Sequence, residues 1–197
     1  PENLDAWAHY RLGVGAIAMS GWTEEAMQQA RSQFRLAFEA DPSFALARAY
    51  FALMTALGVN INLVPRTSAD IEEATNQAER AIADDDGSSE VLGLAGCALA
   101  DVGKRERGME VLEHAVKIDP SNAQAHVAMG ATLALLGDRD AGISRMQHGM
   151  RISPRDRRLG FWGWAVGRFQ LRAGRIDDAL QEARARPGRE PNLLLSK

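Results

Sequence analysis

Residues 87–154 carry one pattern written twice at an interval of 34. Gly96 and Gly130, Leu99 and Leu133, Gly103 and Gly137, Leu112 and Met146, Ala115 and Gly149, Ile118 and Ile152, and Pro120 and Pro154 align without a gap. Small residues at fixed points, with a proline closing each copy, describe a helix-turn-helix unit that cannot bury its apolar face alone and must stack on neighbours. The spacing therefore predicts an array, and it moves function from a buried catalytic pocket to a surface shared between repeats.

The period extends in both directions. In the third repeat a first helix runs from near Ser89 to about Val102, turns at Gly103, and is followed by a second helix to about Ile118. The fourth repeats this from Ala123 through Gly137-Asp138 to Ser153-Pro154. Glycine after the last periodic residue marks a helix end, and proline cannot continue the helix. Gly96 and Gly130 fall inside helices, where glycine costs ~1 kcal/mol relative to alanine; the expected return is close approach of the paired helix, with Ala115 and Gly149 serving that purpose from the opposite side. In the first repeat Ala30, Phe34 and Ala37 precede Asp41-Pro42 at the same intervals, and its inter-helix turn reads as about five residues longer, ending at Thr23-Glu24-Glu25 as an N-cap with an acidic first turn. The second repeat holds an insertion of roughly ten residues around 60–66, with Thr67-Ser68 as cap candidates, and ends at Asp84-Asp85-Asp86. The fifth has Gly167, Gly174, Ala179, Ala183 and Pro191 as landmarks. One array over 1–197 is expected, with units at 4–42, 45–86, 89–120, 123–154 and 160–191. The tail 192–197 is expected to act as a cap, its Leu193-Leu194-Leu195 covering the last repeat or a neighbouring molecule.

The small-residue, turn-glycine and terminal-proline pattern resembles the tetratricopeptide repeat over nearly the whole chain. The RNA-reading pentatricopeptide repeat has a period of 35, and the spacing of 34 with the Asp119-Pro120 and Ser153-Pro154 endings favours the former. The resemblance implies an all-α, right-handed superhelix of about five antiparallel hairpins that binds proteins. More finely, Tyr10-Arg11-Leu12-Gly13, Trp22-Thr23-Glu24-Glu25, the stretch from Phe34 to Asp41-Pro42, the long loop of the second repeat, and Ile152-Ser153-Pro154-Arg155-Asp156 with Phe161-Trp162 resemble the repeat regions of bacterial class III adenylate or guanylate cyclases and winged-helix regulators. That likeness implies a regulatory, partner-binding segment of a bacterial signalling protein.

In such arrays the first helices line a concave groove. By register the contact set is Trp7, Tyr10 and Val14 in the first repeat, Leu53 and Leu57 in the second, and Cys97 and Asp101 in the third. Val127, Ala131 and Leu135 follow in the fourth, then Trp164, Arg168 and Arg172 in the fifth. This face is mostly apolar with aromatic anchors near both ends, which suits an extended apolar peptide or an amphipathic helix. Aromatics at helical spacing are also core formers, so several of these rings are candidates for burial instead. The carboxylate clamp that chaperone-binding relatives use would fall at Ala49, Leu53, Leu94, Gln124 and Ala128, which lack its chemistry.

Other activities find no support in the residues. Gly13-Val14-Gly15-Ala16-Ile17-Ala18 has the letters of a dinucleotide fingerprint but lies within a helical pattern instead of after a strand. His9, His114, His126 and His148 lack metal-ligand spacing, although His114 and His148, one period apart, are placed to stack across neighbouring second helices. Asp84-Asp85-Asp86 lacks the glycine and distal glutamate of a calcium loop, and Cys97 has no partner marking it as a nucleophile. No catalytic residue, cofactor or metal is expected. Residues 145–190 carry eleven arginines against five acids in a chain of net charge -3, but no aromatic-basic motif accompanies them, which argues against nucleic acid. A single cysteine requires no oxidising compartment, and apolar stretches such as 93–100 and 125–137 are ended by Asp101 and Asp138, well short of the ~20 residues a membrane span needs. No signal peptide is apparent, and the start at Pro1 reads as a fragment or a processed chain. The expected role is a non-catalytic cytoplasmic interaction module with a protein or peptide partner; the alternative is self-association through Phe161, Trp164 and the leucine tail.

Overall fold

The computed structural model describes residues 3–185, which form ten α-helices and no strand. They alternate as five antiparallel pairs: α1 (Leu4–Ser20) with α2 (Glu24–Ala40), α3 (Ala45–Asn60) with α4 (Ser68–Asp84), and α5 (Ser89–Asp101) with α6 (Arg105–Ile118). The last two pairs are α7 (Ala123–Leu136) with α8 (Arg139–Ile152) and α9 (Leu159–Arg172) with α10 (Ile176–Ala185).

Turn chemistry sets the period. Gly103 and Gly137 adopt φ of +104° and +113°, a left-handed conformation that a Cβ would strain, and each lets the chain reverse within three residues or fewer. Helix starts are capped by side chains: Thr23 accepts from the Ala26 amide at 3.2 Å, Thr67 from Asp70 at 3.0 Å and Asn122 from Ala125 at 2.9 Å. Between repeats, Asp41 and Asp119 each fold an identical Asp-Pro-Ser turn, accepting from the serine amide and hydroxyl two residues on.

Within a hairpin the helices cross at glycine. A Cβ on Gly130 would lie 2.5 Å from the Gly142 carbonyl oxygen, and one on Gly142 would lie 2.6 Å from that of Gly130; Gly96 and Gly108 repeat the arrangement one period earlier. Ala115, fully buried, and Gly149, whose Cβ would meet Ala123 and His126, supply the second small contact. Close backbone approach lets Leu112 and Met146 fill the space between paired helices with no exposure.

Stacking makes two layers. The first helices α3, α5, α7 and α9 pack on one another in succession, and each of α2, α4, α6 and α8 packs against the first helix that follows it. Helices with neighbours on several sides must be apolar nearly all round, whereas outer helices need one apolar stripe; α3, α5 and α7 accordingly bury most of their residues, and α4 buries only Ala74, Thr75, Ala78 and Ala81. Asn122 ties consecutive repeats, donating from Nδ2 to the Ser89 carbonyl at 2.7 Å and to its hydroxyl at 2.8 Å.

Two expectations are corrected. The extra residues of the first repeat do not lengthen its turn: α1 continues to Ser20, and only residues 21–23 separate it from α2. A run such as Gly15-Ala16-Ile17-Ala18-Met19 extends a helix more cheaply than it forms a solvated loop, since each added residue gains a backbone hydrogen bond. His148 does not stack on His114; it meets His126 edge-on, with centroids 4.8 Å apart, because hairpin pairing brings α8 against α7. Pro191 and the tail with its three leucines lie outside the described residues.

Candidate functional site

The inward sides of the first helices enclose a cavity of about 360 Å³. A solenoid groove is ordinarily open at both ends, but here the turn between α1 and α2 projects Trp22 across the concave face onto Phe161 of α9, centroids 4.5 Å apart and planes within 29°. Phe161 in turn leans on Trp164 at 5.4 Å. The first and fifth hairpins are thereby bridged by an aromatic clasp, and what would be a trough becomes a pocket.

Helix periodicity places Leu53 and Leu57 of α3, Cys97 and Asp101 of α5, Val127, Ala131 and Leu135 of α7, and Trp164, Arg168 and Arg172 of α9 on this one cavity. Three expected residues are not brought there. Tyr10 is drawn into the interior beside Phe34, Phe44 and Tyr50, at 5.9, 5.2 and 5.7 Å. Trp7 packs edge-on against Tyr10 and Phe44 and keeps 40% of its surface exposed, and Val14 is exposed away from the cavity. Among the described residues α1 packs chiefly against α2, and the register of these residues leads to the aromatic core and to solvent. Phe161 and Trp164, considered for self-association, face the cavity and the core.

The polar groups fall into two sets. On α5 the Cys97 thiol donates to Asp101 Oδ2 at 3.9 Å, and Asn60, at the end of α3, also hydrogen-bonds that carboxyl. Burial outweighs both contacts and pushes the Asp101 carboxyl up to about 7, while burial and the neighbouring Asp101 hold the Cys97 thiol well above its ordinary range. A thiol so raised stays protonated at neutral pH and is no nucleophile. The second set is basic: Arg105, Arg158, Arg168 and Arg172 line the cavity, against Asp101 as its one acidic lining residue. Arg158 is paired, reaching Asp156 at 2.7 and 2.9 Å and Gln124 at 3.0 Å, with its guanidinium 4.7 Å above Trp162. Arg168 lies 4.7 Å over Trp164, and burial together with the neighbouring Arg172 lowers its pKa.

Several lining residues escape sequence register because they come from segments that do not repeat. Trp22 sits in a turn, Asn60 at the edge of the insertion, and Arg158 in the connection before α9. Only Arg158 carries a periodic signal, 34 positions after the Gln124 that it touches. At the clamp positions, Ala49, Leu53, Leu94 and Ala128 are buried apolar residues, and Gln124 is engaged by Arg158. Among the described residues no cluster of His, Cys, Asp or Glu is arranged to hold a metal ion, and no helix is long and apolar enough to cross a membrane.

A family model described as tetratricopeptide repeat matches residues 89–122, the third hairpin and the turn that follows it. Solved structures match over most of the chain. A thermophilic repeat protein of Thermus thermophilus, TTC0263, is similar with a TM-score of 0.70 at 20% identity, over 96% of this chain and 93% of its own. PilF of Pseudomonas aeruginosa gives 0.58 at 18% identity, over 90% and 73%. YrrB, described as a repeat protein with an unusual peptide-binding site, gives 0.50 at 16% identity, over 95% and 88%. No curated protein matches the chain. At these identities the likeness is one of fold: a superhelical tetratricopeptide arrangement.

Proposed function

We propose that this stack of tetratricopeptide-type hairpins is a non-catalytic interaction module that takes a peptide or helix of a protein partner into the concave cavity. The observation that carries the reading is the cavity itself, walled by first helices of four different repeats and furnished with leucines, tryptophans and arginines. Partner hot spots concentrate in aromatic and arginine side chains set in sheltered pockets, and about 360 Å³ lies in the range of preformed ligand sites. The likeness of residues 10–13 and 22–25 to the repeat regions of cyclases and winged-helix regulators supports a place in a bacterial cytoplasmic signalling protein. The test is selection from a random 12-residue peptide library displayed on phage, followed by fluorescence titration of the selected peptides. Leu135→Asp, at the exposed rim of the cavity, should weaken binding at least tenfold without shifting the melting temperature; equal affinity for the variant would refute the assignment.

A second reading, self-association, draws on a different surface. Leu171, Ile176 and Leu180 leave 56%, 60% and 47% of their area exposed on the fifth hairpin. Light scattering across a hundredfold concentration range separates the two: a constant monomer mass removes this reading.

A further inference from the structure

The cavity is electrically one-sided in a protein whose net charge is -3. Of its four arginines only Arg158 has a carboxylate partner; Arg105, Arg168 and Arg172 form no ion pair among the described residues. The Arg105 Nε is fully buried with no hydrogen-bond partner. Arg168 and Arg172 stand one helical turn apart on α9, a spacing at which like charges repel, and both line the cavity. Outside the cavity Arg31 pairs with Asp70, Arg35 with Glu73, Arg107 with Glu79 and Arg175 with Asp140, while others, Arg145 among them, have no carboxylate partner among the described residues. What sets the cavity apart is that three guanidinium groups without a carboxylate partner converge on one sheltered space whose one acidic lining residue is Asp101.

We infer that the partner segment is acidic as well as apolar: one or two aliphatic or aromatic side chains enter between Leu53, Leu135 and Trp164, and a flanking aspartate or glutamate meets Arg168 and Arg172. This rests on the peptide-binding reading above and names its occupant. Charge complementarity supplies the argument, because an incoming carboxylate relieves the Arg168–Arg172 repulsion and forms charge-assisted hydrogen bonds in a site sheltered from water. The size of the cavity accommodates a few side chains, and so an anchor within a peptide, with the backbone running along the mouth.

The same phage selection tests it, performed on the full 197-residue chain and on R168Q/R172Q and R168E/R172E variants checked for helicity and melting temperature. The wild-type protein is expected to enrich peptides pairing apolar residues with Asp or Glu, with affinity falling at least tenfold between 50 and 500 mM salt. The neutral variant should lose the acidic preference and keep the apolar one, and the reversed variant should select Lys or Arg instead. Enrichment of neutral apolar peptides by the wild type would overturn this inference and leave the peptide-binding reading standing. So would an acidic preference that survives both variants. No enrichment over a protein without the cavity would overturn both.

Discussion

Trp22 and Phe161, 139 positions apart in the chain, stack at 4.5 Å across the concave face and join the first hairpin to the fifth. Nearest-neighbour stacking alone makes a repeat protein quasi-one-dimensional, with ends that do not communicate. This contact closes the array upon itself, and any ligand longer than the cavity must displace it or pass beside it.

Trp22→Ala should therefore act on shape more than on stability. An aromatic pair contributes about 0.5–1.5 kcal/mol beyond its buried area, so urea unfolding is expected to show a coupling energy of that order between Trp22 and Phe161, in addition to the buried area that each truncation loses. Small-angle scattering should show a larger radius of gyration as the ends separate. In a double-mutant cycle with Phe161→Ala the two changes should be strongly non-additive; fully additive losses would mean that the stack contributes nothing as a pair.

Glycine substitutions separate the crossing from the helix. Gly142→Ala puts a Cβ 2.6 Å from the Gly130 carbonyl oxygen and 2.7 Å from the Ala134 amide nitrogen, where only backbone movement relieves the clash, and should cost about 1–3 kcal/mol. Gly167→Ala, on α9 with nothing within 4 Å of the new methyl, should stabilise by about 0.5–1 kcal/mol from helix propensity. Opposite signs in thermal melts are the expected outcome, and equal signs would show that the interhelix approach is not the reason for glycine at 142.

The fold was legible because a period transfers register. Once Gly96 and Gly130, Gly103 and Gly137, and Ile118 and Ile152 are aligned, the face that α5 turns inward also locates the inward faces of α3, α7 and α9, and with them Leu53, Val127 and Trp164. Whatever does not repeat was not legible in this way. The length of the first repeat's insertion can be counted, but whether it becomes loop or one more helical turn depends on packing against α2. Trp22 and Asn60 reach the cavity from irregular segments whose direction only tertiary contacts decide. Tyr10 departs for the converse reason: its register is right for a first helix, but Phe34 and Phe44 surround its ring in place of a groove.

Asn122 performs two tasks that substitution can split. Its Oδ1 caps α7 by accepting from the Ala125 amide, and its Nδ2 donates across the repeat boundary to Ser89. Asn122→Asp keeps the cap and loses the donor, whereas Asn122→Ala loses both. Caps contribute about 0.5–2 kcal/mol and a neutral hydrogen bond about 0.5–1.5 kcal/mol. Chemical denaturation should rank wild type above Asp and Asp above Ala, with steps of about 1 kcal/mol; an Asp variant as unstable as Ala would mean that the link between repeats carries the whole effect.

Asp101 gives the cavity a pH dependence of determinate sign. Burial raises its carboxyl from 3.8 in the unfolded chain to about 7, Asn60 and Cys97 opposing. Between those values the folded protein holds a proton that the unfolded chain has released, so stability falls as pH rises through this window and the full cost is present above it. One unit of separation corresponds to about 1.4 kcal/mol, and after allowance for water at this partly buried group the decline from pH 5 to pH 8 is on the order of 1–2 kcal/mol. His126 acts in the opposite direction: its pKa is lowered, first by burial, so its contribution is lost as pH falls. Asp101→Asn isolates the carboxylate, because it leaves His126 in place and removes the alkaline penalty. The variant should exceed wild type in stability at pH 8 by more than at pH 5, and parallel profiles of unfolding free energy against pH would show that the Asp101 carboxyl is not held protonated in the folded protein.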